Sequence, residues 1–183
     1  MPEPPTYDGF SKRCLLNPEQ FRAEPAVVFR EETEVLDDAG AFNGKASWEG
    51  TVAVVVTDGD GDLLLVDGPD GWRLPASPVR AGDDWAAVAR RRVAQKTGLS
   101  TALDSVARVT RTSYRLAGSP RRSTTGYDVV FRGRPLDEPT PMDDLQAKRA
   151  RDGSGWAHDW FDALPADAAA DQFRADAAAA LGE

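Results

Sequence analysis

Two apolar runs of strand length, separated by an acidic and glycine-rich turn, place the strongest constraint on the fold of this chain. Val52–Val56 is followed by Asp58-Gly-Asp-Gly61, and Leu63–Val66 then resumes the apolar pattern. Aliphatic β-branched residues favour strands, and Asp-Gly steps favour tight turns. A calcium loop is disfavoured, because it would need Gly and Glu where Leu63 and Pro69 stand. The segment therefore predicts a β-hairpin closed by a turn.

The segment that follows predicts a helix from about Asp84 to Thr97. Four apolar residues recur at helical spacing and would form its buried stripe: Trp85, Val88, Ala89 and Val93. Asp83 is predicted as the N-cap, with Asp84 in the first turn, where the helix dipole favours negative charge. Gly98 is predicted to end the helix in the left-handed conformation.

The rest of the chain alternates shorter strand and helix patterns. Further strands are predicted at Ala26–Phe29, Val106–Leu116, Tyr127–Phe131 and Trp156–Phe161. Gly118–Ser123 is predicted as a loop, and Leu145–Arg151 as a short helix within the polar connection Asp137–Gly153. An Ala-rich helix is predicted from Leu164-Pro165 to about Leu181. Together these elements predict an α/β domain with a mixed sheet and helices packed on it.

Charge and composition narrow the class of protein. The chain has 183 residues, 41% of them apolar, which suffices for one domain with a real core. Acidic residues outnumber basic ones 30 to 22, for a net charge of −8. This balance argues against a general nucleic-acid-binding surface, since phosphate backbones need a basic patch. Asp greatly exceeds Glu, and Arg greatly exceeds Lys, a bias that favours a GC-rich genome and a halophile, for example a haloarchaeal source.

The sequence also predicts a cytoplasmic location. No apolar run approaches the roughly 20 residues of a membrane span, and the N-terminus lacks a signal pattern. The single Cys14 excludes an internal disulfide and suits a reducing compartment. Neither a membrane nor a nucleic acid is therefore an expected partner, and the sequence leaves the oligomeric state open.

The stretch from Trp72 to Leu99 resembles the signature of the Nudix hydrolase superfamily. With Gly98-Leu99 as the closing pair, Val93 takes the apolar position, Arg91 takes the Arg, and Asp83 takes the first Glu. Trp72-Arg-Leu-Pro75 resembles the family's approach segment, and Trp160–Pro165 also looks like a family feature. The resemblance implies the Nudix fold, a mixed sheet with flanking helices. Residues 1–47 would then be a partly ordered N-terminal extension, and 48–183 a Nudix-like domain.

The chain departs from this signature where the family does its chemistry. Arg92, Gln95 and Lys96 stand in place of three glutamates, which in family members hold magnesium or manganese for pyrophosphate hydrolysis. Their spacing puts these three residues on one helix face. A dication about 6 Å from one fixed positive charge is repelled by roughly 5 kcal/mol at an effective dielectric constant of about 20. We therefore expect no metal in the usual box and predict no other cofactor. Mg²⁺ would be required only if the protein is catalytic.

Two interpretations of the altered helix face stay open. Arg92 and Lys96 could bind the phosphates of a ligand directly, with Arg91 as a third ligand-binding candidate. Alternatively, the site has decayed and these residues are only a solvated helix face. Arg91 could also brace the loop through Asp83, by analogy with the family. Asp83 and Arg91 are the catalytic candidates, and Asp83 and Asp84 the weak metal candidates.

Residues outside the box supply further candidates, each with a plainer alternative. Acids that could approach the cleft are Glu49, Asp128, Glu138, Asp143 and Asp144, and each could equally be a surface carboxylate. His158 could be a general base or simply pack against its neighbours. Aromatic rings that could stack on a base or fill the core are Trp48, Trp72, Trp156 and Trp160. Five arginines could meet an anion or offset nearby carboxylates: Arg108, Arg111, Arg115, Arg121 and Arg122.

Three functional hypotheses follow. In the first, the chain is a Nudix-fold protein with a degenerate metal site that binds a nucleotide or another small phosphate ligand. In the second, it is an active hydrolase of nucleoside diphosphate-linked substrates with a relocated metal site built on Asp83 and carboxylates outside the box. In the third, it is a non-catalytic interaction scaffold.

Overall fold

The computed structural model describes residues 14–136 and 157–182. After a short 3₁₀ helix at Pro18–Ala23, the strands are β1 (Val28–Leu36), β2 (Gly50–Val56), β3 (Leu63–Val66), β4 (Ala76–Val79), β5 (Thr101–Leu116), β6 (Ser119–Pro135) and β7 (His158–Phe161). The helices are α1 (Ala39–Ala46), α2 (Trp85–Thr97) and α3 (Arg174–Ala180). Among these described helices, none has the length and hydrophobicity needed to cross a bilayer.

A mixed five-stranded sheet organises these elements, in the order β1-β5-β6-β2-β4. β1 is parallel to β5, and β2 is parallel to β6, whereas the β5–β6 and β2–β4 pairs are antiparallel. β3 and β7 form a separate two-stranded antiparallel sheet. The predicted α/β fold with a mixed sheet and flanking helices is thus confirmed.

The core lies on both faces of this sheet. On one face, alternate residues of β2, among them Val52 and Val54, pack with the buried stripe of α2. On the other face, Ala53 and Val55 pack with β3 and with the Phe173 end of α3. Because β2 is covered on both faces, its sequence is a continuous apolar run rather than an alternating one. The predicted stripe of α2 is confirmed, since all four of its residues are buried.

The predicted hairpin of Val52–Val56 with Leu63–Val66 is wrong. β2 pairs with β6 along its whole length and with β4 along Gly50–Ala53, whereas β3 pairs with β7 in the second sheet. Only an isolated bridge between Thr57 and Leu63 joins the two segments. The turn between them is confirmed, because the Asp58 carboxylate accepts hydrogen bonds from the backbone N–H groups of Asp60 and Asp62.

Two further predictions needed correction. Of the expected loop at Gly118–Ser123, Gly118 lies in the tight turn that joins β5 to β6, and Ser119–Ser123 belongs to β6, which pairs with β5 as far as Leu116 and Ser119. The Ala-rich helix is also shorter than expected and begins only at Arg174. The backbone before it is held in another conformation, since the Trp72 N–H and C=O groups bond to Asp167 and Ala169.

The remaining predictions concern both ends of the domain. The strand expected at Ala26–Phe29 begins at Val28 and extends to Leu36. Of the strand expected at Trp156–Phe161, residues His158–Phe161 form β7. The helix expected at Leu145–Arg151 lies outside the described residues. The boundary expected between residues 47 and 48 stays a prediction, although β1 joins the main sheet through β5.

Candidate functional site

Helix α2 is fixed at its N-terminus by Asp84, not by the predicted Asp83. The Asp84 carboxylate accepts from the N–H of Ala86 at 3.1 Å and from the N–H of Leu15 at 3.0 Å. It therefore satisfies one open donor of the helix and also ties the N-terminal segment to it. Asp83 instead accepts from the backbone N–H of Arg80, within the preceding turn. At the other end Gly98 has φ 72°, which confirms the predicted left-handed cap.

Arg92 reaches from α2 to the outer edge of the sheet. Its Nε–H donates to the carbonyl oxygen of Ala76 at 2.6 Å. Ala76 begins β4, the edge strand, and the neighbouring carbonyl of Pro75 points inward to the N–H of Val54. Successive carbonyls of a strand point to opposite sides, so Arg92 binds the outward-facing one. Ala76 is also the position where the Nudix signature usually has the first of two glycines.

Lys96 lies close to Arg92 on the same helix face. Burial, and then the positive charge of Arg92, lower the pKa of the Lys96 amine from its ordinary value. Burial also lowers the pKa of Arg92. Gln95, the third residue of the face, is exposed. The face thus presents two adjacent, half-buried cations beside a strand edge, which is an arrangement that attracts anions.

Arg91 and Asp83 do not form the expected brace. Arg91 is exposed, and the part of the chain that the structure describes contains no ion pair between it and Asp83. One helical step turns the side chain by about 100°, so Arg91 lies on a different face from Arg92. The carboxylate of Asp83 is instead engaged in the turn before the helix.

The residues around this face do not fit a magnesium ion. Magnesium prefers an octahedral set of oxygen ligands, with carboxylates among them. The helix offers a guanidinium, an amide and an ammonium group, and the carboxylates of Asp83 and Asp84 already accept backbone hydrogen bonds. Within residues 14–136 and 157–182, no three His, Cys, Asp or Glu side chains are grouped so that they could hold a metal.

A cavity of about 330 Å³ opens between α1 and the sheet. Its lining includes Lys45 and Trp48 near the end of α1, Tyr114 from β5, Asp128 from β6 and Pro78 from β4. The Lys45 amine lies 4.9 Å from the centre of the Tyr114 ring. Burial raises the pKa of the Asp128 carboxyl above its ordinary value, although the charges of Arg108 and Lys45 oppose this shift.

The sequence had singled out some of these lining residues and missed others. Trp48 and Asp128 were candidates, but nothing predicted that α1 would form and bring Lys45 over Tyr114. α1 is short, and only one of its residues, Phe42, is buried. An eight-residue segment with so little apolar periodicity gives no clear helix signal.

The other candidate residues are dispersed. Glu49 is half-buried at the start of β2, and Glu138, Asp143, Asp144 and Trp156 lie outside the described residues. His158 is buried in β7. Trp72 packs edge-on against Phe161 with ring centres 4.9 Å apart, and Trp160 packs against the core. None of these described side chains lines the cavity.

The five arginines do not form an anion-binding cluster. Arg108 pairs with Asp176, and Arg111 pairs with Glu19 and Glu31. Arg122 donates to the side-chain oxygen of Asn43, whereas Arg115 and Arg121 are exposed. The interpretation in which arginines offset nearby carboxylates therefore describes the first two.

The family profile that matches the chain is that of the NUDIX domain, over residues 48–179. Similar solved structures include a NUDIX hydrolase from Nitrosomonas europaea, 23% identical over 56% of this chain and 78% of that chain, with a TM-score of 0.37. A pyrophosphohydrolase from Bacillus subtilis is 15% identical over 74% of this chain and 82% of its own, with a TM-score of 0.44. A MutT structure from work on Aliivibrio salmonicida and Vibrio cholerae is 11% identical over 73% of this chain and 96% of its own, with a TM-score of 0.45. A search of curated proteins gave no match.

Proposed function

The chain belongs to the NUDIX domain family, and from that premise we propose that it binds a small phosphate-containing ligand through Arg92 and Lys96. In this proposal the two cations take over the role that a metal has in the family's usual reaction. The protein would then bind a nucleotide or a related phosphate ester without magnesium-dependent hydrolysis of a pyrophosphate.

The observation that carries the proposal is the anchored position of Arg92. Its Nε–H is bound to the carbonyl oxygen of Ala76, which fixes the plane of the guanidinium at the edge of β4. No described residue accepts a hydrogen bond from its two terminal nitrogens, so a phosphate could bind there bidentately. Lys96 would add a point charge beside this planar donor.

The cavity between α1 and the sheet bears on the size of the proposed ligand, a phosphate ester larger than phosphate alone. Pro78 lines the cavity and lies two residues along β4 from Ala76, a separation of roughly 7 Å. A ligand whose phosphate binds Arg92 would pass around the edge of β4 to reach the cavity, because α2 and the cavity lie on opposite faces of the sheet. The rings of Trp48 and Tyr114 offer stacking surfaces there, and Asp128 offers a hydrogen-bonding partner.

The test is a comparison of binding by charge-neutralised variants. We expect ADP, inorganic pyrophosphate or UDP-glucose to raise the melting temperature of the wild-type protein in EDTA as well as in magnesium. The double variant R92Q/K96Q should bind the tightest of these ligands about tenfold to a hundredfold more weakly than the wild type, since two charge-assisted contacts are lost. Calorimetry at low and high potassium chloride would measure this change.

The matched control is R91Q, which removes a positive charge from the same helix but from an exposed position on another face. We expect this variant to change affinity less than twofold. Equal weakening by R91Q and by R92Q would mean that the ligand senses only net charge. Undiminished phosphate binding by R92E/K96E would also rule out direct contact with the two cations.

The other two hypotheses predict different outcomes of the same experiment. Magnesium-dependent turnover that disappears in D83A would support a hydrolase with a relocated metal site and contradict our proposal. The backbone hydrogen bond that Asp83 already accepts weakens that alternative. If no nucleotide or pyrophosphate shifts the melting temperature even at millimolar concentration, the domain is better described as an interaction scaffold.

A further inference from the structure

Among the described residues, β1 is an edge strand with no partner on its outer side. It is first in the sheet order and pairs with β5 along all nine residues from Val28 to Leu36. No strand among the described residues pairs with its other edge. An open edge of this length presents a row of backbone donors and acceptors that another strand can bind.

The side chains of β1 are unusually exposed for a strand of this sheet. Seven of its nine residues are exposed, and only Phe29 and Leu36 are half-buried. Val28 is 52% exposed and Val35 is 60% exposed, so an apolar side chain is open to solvent near each end. The charged residues lie between these ends, in the order Arg30-Glu-Glu-Thr-Glu34.

We propose that two copies of the chain pair through β1, antiparallel about a two-fold axis at Glu32, and so join their sheets. This register places Val28 opposite Leu36 of the second copy, and Phe29 opposite its Val35. Arg30 then faces Glu34, once on each side of the axis. The exposed valines thus gain apolar cross-strand neighbours, and each arginine gains a carboxylate.

This register pairs the apolar ends of β1 as well as its charges. Directly opposed side chains share a face only when the axis passes through a residue, so the neighbouring registers have their axes at Glu31 and Thr33. An axis at Glu31 pairs Arg30 with Glu32 but places Val28 opposite Glu34. An axis at Thr33 places Arg30 opposite Leu36 and Glu32 opposite Glu34. The register centred on Glu32 is therefore favoured over both.

The acidic residues of β1 contribute less repulsion than their number suggests. Glu31 is already paired with Arg22 at 3.0 Å and with Arg111 at 3.6 Å within its own chain. Arg30 and Glu34 make no hydrogen bond or ion pair with a described residue and are free to pair across the axis. Glu32 is the one residue that meets its own copy, and its diagonal neighbours on the second copy are Arg30 and Glu34.

A charge-swap experiment tests both the dimer and its register. Sedimentation equilibrium of the full chain would measure the dimer dissociation constant for the wild type, R30E, E34R and R30E/E34R. Each single swap places two like-charged pairs across the axis and should weaken the dimer by about tenfold. The double swap restores opposite charges and should return the constant to within about threefold of the wild type.

Other outcomes would overturn the proposal. A wild-type protein that stays monomeric at about 1 mM has no such interface, and failure of the double swap to restore association excludes this register.

Equal melting temperatures of the four proteins under monomeric conditions would show that the swaps leave the fold intact. As an independent check, E32Q removes the like-charged contact on the axis and should strengthen the dimer, most clearly at low salt. None of these outcomes depends on whether the proposed phosphate ligand binds.

Discussion

The hydrogen-bond partner of Arg92 says more about the role of this residue than its identity alone. The sequence placed Arg92 on one helix face with Gln95 and Lys96, where a metal-binding family member has carboxylates. The structure adds that its guanidinium binds the carbonyl of Ala76, 16 residues earlier in the chain. A residue that could have been only a solvated charge is therefore fixed in position, and this supports a role in ligand binding.

Asp128 gives a prediction at the same scale, because its carboxyl is half-buried in the cavity wall. Burial raises its pKa in the folded protein, so the charged form is disfavoured relative to the unfolded chain. The contribution of the Asp128 carboxyl to folding stability is fully present below the ordinary Asp pKa of about 3.9. It is lost as the pH rises through the higher pKa that this group has in the folded protein. We therefore expect D128N to be more stable than the wild type at pH 7, with a difference that shrinks toward pH 4.

Urea unfolding at a series of pH values would measure this difference. D60N, which removes one charge from an exposed turn, is the matched control and should follow the wild type. A wild-type protein more stable than D128N at neutral pH would mean that the attraction of Arg108 and Lys45 outweighs the cost of burial.

At the scale of elements, long-range contacts decided several boundaries that local pattern had suggested differently. β3 pairs with β7, whereas β2 pairs with β6 along its whole length and with β4 along its first four residues. The backbone at Asp167 and Ala169 bonds to Trp72, which keeps this alanine-rich segment from continuing as helix. Propensity is a weak guide wherever such tertiary hydrogen bonds compete with it.

Besides its apolar packing, α3 is joined to the sheet by one shielded ion pair. Arg108 of β5 binds Asp176 of α3 at 2.7 Å, with side-chain exposures of 11% and 15%. We expect D176N to lower the free energy of unfolding by about 2–3 kcal/mol, because it leaves a largely buried guanidinium without its counter-charge. Chemical denaturation would measure the loss.

The control for that prediction is D70N, which breaks a surface pair. Asp70 binds Arg73 at a similar distance of 3.1 Å, but its side chain is 81% exposed. Exposed pairs contribute little, so this variant should leave the free energy of unfolding nearly unchanged. Similar losses in both variants would contradict the stabilising role assigned to Arg108 and Asp176.

Gly71 fixes the register between its loop and the C-terminal segment. It has φ 111°, and a Cβ at this position would lie 1.9 Å from the carbonyl oxygen of Asp167. We expect G71A to lower the free energy of unfolding by at least about 2 kcal/mol, through backbone strain and the lost contact. G59A is the matched control, because a Cβ there meets no atom within 4 Å. Equal melting temperatures of the two variants would contradict this prediction.

At the scale of the whole molecule, the net charge of −8 predicts a dependence of stability on salt. Added potassium chloride screens repulsion among the acidic residues, so the melting temperature should rise between about 0.05 and 0.5 M. A sucrose series serves as the control, because sucrose favours burial without screening charge. A flat or falling response to potassium chloride would argue against both net repulsion and the halophile hypothesis.

The sequence by itself determined the fold class, the helix α2 with its buried stripe and the placement of Arg92, Gln95 and Lys96 on one face of that helix. These features depend on local periodicity and on residue identity, which a single chain displays directly. The tertiary structure alone decided that Ala76 is the partner of Arg92, that α1 closes a cavity over Asp128 and that no described strand pairs with the outer edge of β1. Each of these involves residues far apart in the chain, and their approach depends on how the strands are ordered in the sheet, which local pattern does not encode.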